Sequence, residues 1–111
     1  MSNSINIEQQ LAEIARKFDL ENDLIHFLLL IGIQESGQGF REFSKDEKTE
    51  LIELGGATVL APYGYYQEVE TNSPVPYYVA NPDELLPEGY ERDLLLKKGI
   101  VEYFNQKNIQ S

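Results

Sequence analysis

The chain predicts an α+β fold, mostly α: four helices, a short helical turn and one β-hairpin in a single domain spanning residues 1–111. Three observations predict it. Apolar residues recur at helical spacing in four separate stretches. Two runs rich in aromatic and β-branched residues flank a Thr-Asn-Ser-Pro break, which is a hairpin signal. And 111 residues leave room for one core and not for a second.

Ile7, Leu11, Ile14, Ala15 and Phe18 form one stripe of a first helix, with Glu8, Glu13, Arg16 and Lys17 opposite. Asp19 is expected to cap a second helix, with Glu21 and Asp23 in its positive first turn. That helix is apolar on nearly every side from Leu24 to Ile33, so it needs cover all round; it is expected to be the central helix, with part of an oligomer interface as the alternative. The segment "SGQG" ends it, Gly37 or Gly39 supplying a left-handed cap.

The third helix starts at Ser44, where "SKDE" reads as a capping box closed by Glu47. Gly55-Gly56 resembles a stop, yet Leu51, Ile52, Gly55, Gly56, Val59, Leu60 and Tyr63 keep helical spacing through it. The helix is therefore expected to reach about Leu60, where Pro62 stops it, with both glycines on its buried side; a strand over 57–61 is the alternative. "YYQEV" and "PYYVA" then form the hairpin, and pairing Val69 with Val75 sets Tyr66 opposite Tyr78. Period-2 alternation puts Tyr65, Val69, Val75, Tyr77 and Val79 on one face, expected to pack on the helices. Tyr66, Glu68, Glu70 and Tyr78 share the other, expected to face outward. "NPDE" at 81–84 gives about one helical turn, and a last helix runs from about Tyr90 to Gln106, burying Leu96, Ile100, Tyr103 and Phe104.

Taken together, "FLLLIGI", "FSKDEKTEL", "YGYYQ" and "IVEYF" resemble a group of short uncharacterised proteins from Bacteroidetes-type bacteria, over about residues 23–105. Gly55-Gly56 departs from the bulkier helix interior of that group. The resemblance implies no activity, ligand or functional residue.

Composition narrows the function classes. With no cysteine and one histidine, thiolate chemistry is excluded and a zinc site is not expected. The N-terminus lacks a basic start followed by an apolar run, and the longest apolar stretch is about half a bilayer span. A cytoplasmic protein without membrane contact is expected. The net charge of −10 is uneven: residues 63–93 carry seven acids against Arg92 alone, a balance of −6. The same region holds six of the seven tyrosines, Tyr103 being the exception. Such a field disfavours nucleic acid, and the third helix, with four acids against two lysines, cannot serve as a winged-helix DNA reader.

The chemistry-bearing residues are few. His26, with Asp23 three residues earlier, reads as a buried, satisfied histidine; a general base is the sharper alternative. Asp83, Glu84, Glu88, Glu91 and Asp93 lack the spacing of a calcium loop. Tyr66 and Tyr78, beside Glu68 and Glu70, suit a basic partner through aromatic burial and steering. The reading is thus a non-enzymatic acidic interaction module of the adaptor, inhibitor or immunity-like kind. It uses Tyr66, Glu68, Glu70 and Tyr78 toward a basic protein, without cofactor or metal, as monomer or homodimer. The alternative is a small enzyme or ligand-binding protein using the glycine loop 36–41 with His26, Glu35 and Arg41.

Overall fold

In a computed structural model, which describes residues 7–107, the chain order is α1 (Ile7–Phe18), α2 (Leu24–Ser36), α3 (Lys45–Leu60), a 3-10 turn (Ala61–Tyr63), β1 (Tyr66–Val69), β2 (Tyr77–Ala80) and α4 (Gly89–Lys107). The first six residues, part of the stretch read for a leader, lie outside the described residues. The fold class is the expected one. The helical turn, however, lies at 61–63, while 81–84 makes a single turn in which Asn81 accepts from the amides of Asp83 and Glu84.

Helix ends follow their local chemistry. Asp19 does not cap α2, as the sequence suggested; it closes α1. Its φ of 56° is left-handed, its N–H donates to Arg16 O, and Leu20 N–H reaches back to Ala15 O. That 6→1 and 5→2 pattern is a Schellman motif with aspartate where glycine is usual. Asp23 is the α2 cap instead, accepting from the His26 amide at 2.9 Å. Gly37, at φ 72°, ends α2 as expected. On α3 the capping box is complete: Ser44 Oγ accepts from Glu47 N, and Glu47 Oε1 accepts from Ser44 N.

α3 continues through both glycines to Leu60, and Gly55 shows why. A Cβ there would land on the Leu28 carbonyl of α2, inside any tolerable contact. Reciprocally, a Cβ on Gly32 would land on the Leu51 carbonyl of α3. Each helix therefore sets a Leu-x-x-x-Gly pair against the other in antiparallel fashion, backbone to backbone. Gly56 differs from the expectation: it is only half-buried and a Cβ there would meet nothing. Gly99 repeats the device on α4, where a Cβ would sit 2.7 Å from Val59 O. With the helices this close, Phe27, Ile31, Ile100 and Phe104 are wholly enclosed, and Phe18 and Tyr103 stack on Phe104 at 5.3 Å between ring centres. α2 supplies Phe27, Leu28, Leu30 and Ile31 to the core, but it is not covered all round as expected: Ile25 is 59% exposed.

The hairpin departs from its predicted register and orientation. Tyr66 pairs with Ala80, Glu68 with Tyr78 and Val69 with Tyr77, two residues from the expected alignment. Loop 70–76 makes its own bonds, Ser73 N to Thr71 Oγ1 and Val75 N to Ser73 Oγ. Pro76 has no amide to give, so the ladder begins at Tyr77. A two-residue shift keeps the two face sets but not their partners. The faces are inverted: Tyr66 and Tyr78 turn to the helices, while Val69, Tyr77 and Val79 are 38%, 56% and 37% exposed. The cause lies upstream. Gly64, at φ 92°, ends the 3-10 turn, and Asn81 Nδ2 bonds Gly64 O while Asn81 N bonds Tyr65 O. This clamp fixes the angle at which β1 leaves α3, with Tyr66 turned in. Tyr65, one residue before the strand, also packs on the core.

Two expected outcomes test this packing. Gly55→Ala and Gly32→Ala should each destabilise by about 3 kcal/mol or more, since backbone must move. Gly56→Ala, in open space, should stabilise by up to about 1 kcal/mol through helix propensity; urea melts of the three variants decide it. For the hairpin, Tyr66→Ala should be the more damaging of two truncations, at roughly 1–3 kcal/mol. Tyr77→Ala should cost roughly 0.2–1 kcal/mol, a cross-strand contact only; melts with the opposite order would restore the outward Tyr66 face.

Candidate functional site

The inverted hairpin creates a cleft where the sequence suggested an outward face. It has a volume of about 690 Å3 and lies between the N-terminal part of α3, the end of α2 and the β2 side of the hairpin. Tyr66 and Tyr78 line one side, with Val75, Pro76 and Tyr77; Leu51, Leu54 and Ala57 form the helical side. Three glutamates, Glu47, Glu50 and Glu53, project into it at helical spacing, and no lysine or arginine is among its lining residues.

The three acids are not equivalent. Glu47 is engaged: it closes the capping box and meets Arg41 Nη2 at 3.2 Å, and the Ser44 amide, followed by Arg41, holds its carboxyl below the usual range. Glu50 and Glu53 are exposed, and among the described residues neither has an ion-pair partner. Arg41 is consumed locally. It donates to Gln38, Glu47 and the Glu42 carbonyl, and its guanidinium lies 4.3 Å from the Phe43 ring centre.

Of the predicted contact residues, Tyr66 and Tyr78 line the cleft. Glu68 stands opposite Tyr78 on the same face of the ladder, and Glu70 lies exposed beyond the strand. Burial is the main cause that raises the Tyr78 phenol above its ordinary range, with Glu68 and Glu35 adding to it against the lowering effect of Thr58. The glutamates of α3 carry the stronger claim, and their i, i+3, i+6 spacing was readable; what sequence could not supply was a hairpin folded over them.

The alternative set does not converge. His26 is half-buried, not enclosed; its amide, donating to the Asp23 cap, and then its Nδ1, 2.7 Å from Asp23 Oδ1, lower the Asp23 carboxyl. It begins α2 and Glu35 ends it, nine residues or about 14 Å along the axis. Glu35 accepts from Tyr103 at 2.6 Å beside Lys107, lining a separate hollow of about 200 Å3. Among the described residues, none of the three hollows found is lined by His26, Glu35 and Arg41 together. Among the described residues no group of three or more histidines and carboxylates is placed to hold a metal ion, and no helix is long and apolar enough to cross a membrane.

Comparison with protein-family models, with curated proteins and with solved structures gives no match.

The buried phenols give a pH signature. Burial, then Glu35, raises Tyr103; burial, then the bond to Glu102, raises Tyr63 to about 12. Unfolded phenols ionise near about 10, so the unfolded state loses protons first. The stability these groups contribute is complete below that pH and is lost as pH climbs toward the folded values. Urea midpoints measured upward from pH 9.5 should fall, and Tyr103→Phe should make the fall shallower; an equal slope in both proteins would show that Tyr103 is not held protonated by the fold.

Proposed function

We propose that the chain is a cytoplasmic, non-enzymatic binding protein, of the adaptor or inhibitor kind, that holds a basic segment of a partner protein in the cleft between α3 and the hairpin. The single observation that supports this is the lining: tyrosines facing three glutamates around an apolar floor, with no cation present. Tyrosine offers large, rigid contact area at low entropy cost. A lysine or arginine stem buries well on such a surface while its charged end reaches carboxylate. Glu50 and Glu53 have no ion-pair partner among the described residues, so an incoming cation replaces no internal pair. The −10 charge steers a basic partner toward the protein from a distance and disfavours nucleic acid.

Two fluorescein-labelled basic peptides test the reading: one alternating lysine and valine, the other lysine interspersed with glycine and serine. At least one should bind, by anisotropy, more weakly as salt rises. An acidic counterpart and mixed-sequence oligonucleotides should not. Glu50→Lys with Glu53→Lys should weaken binding by about tenfold or more, with thermal melts confirming that the double variant folds. Undiminished binding by that variant, or none by either basic peptide, would remove the cleft as the site.

A further inference from the structure

One wall of the cleft is a strand edge, and we infer that the basic segment binds as an added β-strand along β2, basic side chains alternating with apolar ones. The inference rests on the cationic-segment reading above and adds to it the conformation and sequence pattern of the partner. The hydrogen-bond phase of the hairpin carries it. Asn81 N–H donates to Tyr65 O at 2.9 Å. With the observed register, that bond makes Gln67–Val79 and Val69–Tyr77 the hydrogen-bonded pairs and leaves Tyr66–Ala80 and Glu68–Tyr78 as the non-bonded ones. The backbone N–H and C=O of Tyr78 and Ala80 therefore point away from β1. Among the described residues neither amide has a partner.

The cleft meets this edge at the first two residues of β2. Tyr77 and Tyr78, consecutive in β2 and so on opposite faces, both line it, together with Val75 and Pro76 of the preceding loop, so the cleft reaches the edge at the start of β2. From β1 only Tyr66 contributes. The opposite wall, Glu47 to Ala57 on α3, covers eleven residues and so ten helical rises. That is about 15 Å, the length of four or five extended residues at about 3.3 Å each.

A strand laid here would send alternate side chains to opposite sides. Those facing α3 would meet Glu50 and Glu53, and so are lysine or arginine. Those facing outward would extend the exposed stripe of Val69, Tyr77 and Val79, and so are apolar. Main-chain pairing supplies affinity and the alternate contacts supply selectivity, which is the logic of strand addition to an open sheet edge. Pro76, without an amide, limits the ladder at one end.

The probe is the lysine–valine peptide, with two further versions N-methylated either at every lysine amide or at every valine amide. Only one alternate set of amides can face β2, so one version should lose about tenfold or more in affinity and the other less than about threefold. Amide exchange by NMR on the intact protein should show Tyr78 and Ala80 newly protected by the unmethylated peptide, with Tyr66 and Glu68 on the far edge unchanged. Equal effects of the two methylation patterns, protection absent from Tyr78 and Ala80, or binding only of the glycine–serine peptide would each overturn strand addition. Loss of binding on charge reversal at Glu50 and Glu53 would still stand for the cleft in those cases, so the two ideas fail separately.

Discussion

The structure depends on two helices touching backbone to backbone. Where Gly32 meets Leu51 and Gly55 meets Leu28, α2 and α3 approach more closely than any side chain would permit. Interior glycine costs helix stability, about 1 kcal/mol at each position. That cost is offset because α2, apolar on almost every side, gains an enclosing surface on both flanks of the crossing. Leu28 and Leu51 also cover their neighbours' glycines, so the contact is self-complementary without symmetry. α4 then docks by the same device, Gly99 against Val59, and its Ile100 and Phe104 complete the core around Phe27 and Ile31.

Acidic residues separate into two groups by what they touch. Asp23 accepts the orphan amide at the start of α2, and Glu47 accepts the amide that closes its capping box. Both carry out local work at helix N-termini, where negative charge is favourable. Glu50 and Glu53 lie beyond the first turn of α3, three residues apart. Like charges at that spacing repel by a few tenths of a kcal/mol, and neither forms an ion pair among the described residues. Caps account for the first group and not for the second, and the second faces the cleft.

Much of this was legible because the signals are local. The α1 stripe, the Ser44–Glu47 box, the Gly37 cap and the passage of α3 through Gly55 all follow from spacing and residue type. Asp19 and Asp23 exchanged roles because both suit a helix terminus, and only the chain path shows which end each serves. Gly32 had a readable signal that went unused: Leu28-x-x-x-Gly32 repeats Leu51-x-x-x-Gly55, and two such pairs on successive helices suggest one crossing. The hairpin faces were a different matter. Alternation sorted the residues correctly into two sets, but period 2 carries no information on which set meets the helices. That choice was made by Gly64 and Asn81 at the base of the hairpin, through a clamp between residues seventeen apart.

The same clamp links the proposed site to the fold. α3 is shared between the glycine crossing and the acidic wall of the cleft, so that wall is as fixed as the core. The opposite wall is held by a two-stranded ladder, by Tyr65, Tyr66 and Tyr78 against the helices and by the Asn81 bonds, and an isolated two-stranded sheet is marginal in water. The cleft therefore has one rigid side and one whose order depends on few contacts. A third strand would convert the hairpin into a sheet of ordinary minimum size and would occupy the edge that the fold leaves open. Binding and hairpin order are then coupled: a ligand that requires the ordered hairpin stabilises it by RT ln(1 + [L]/Kd). The apolar stripe of Val69, Tyr77 and Val79 lies on the outward face, and an added strand would widen that stripe with its own apolar side chains.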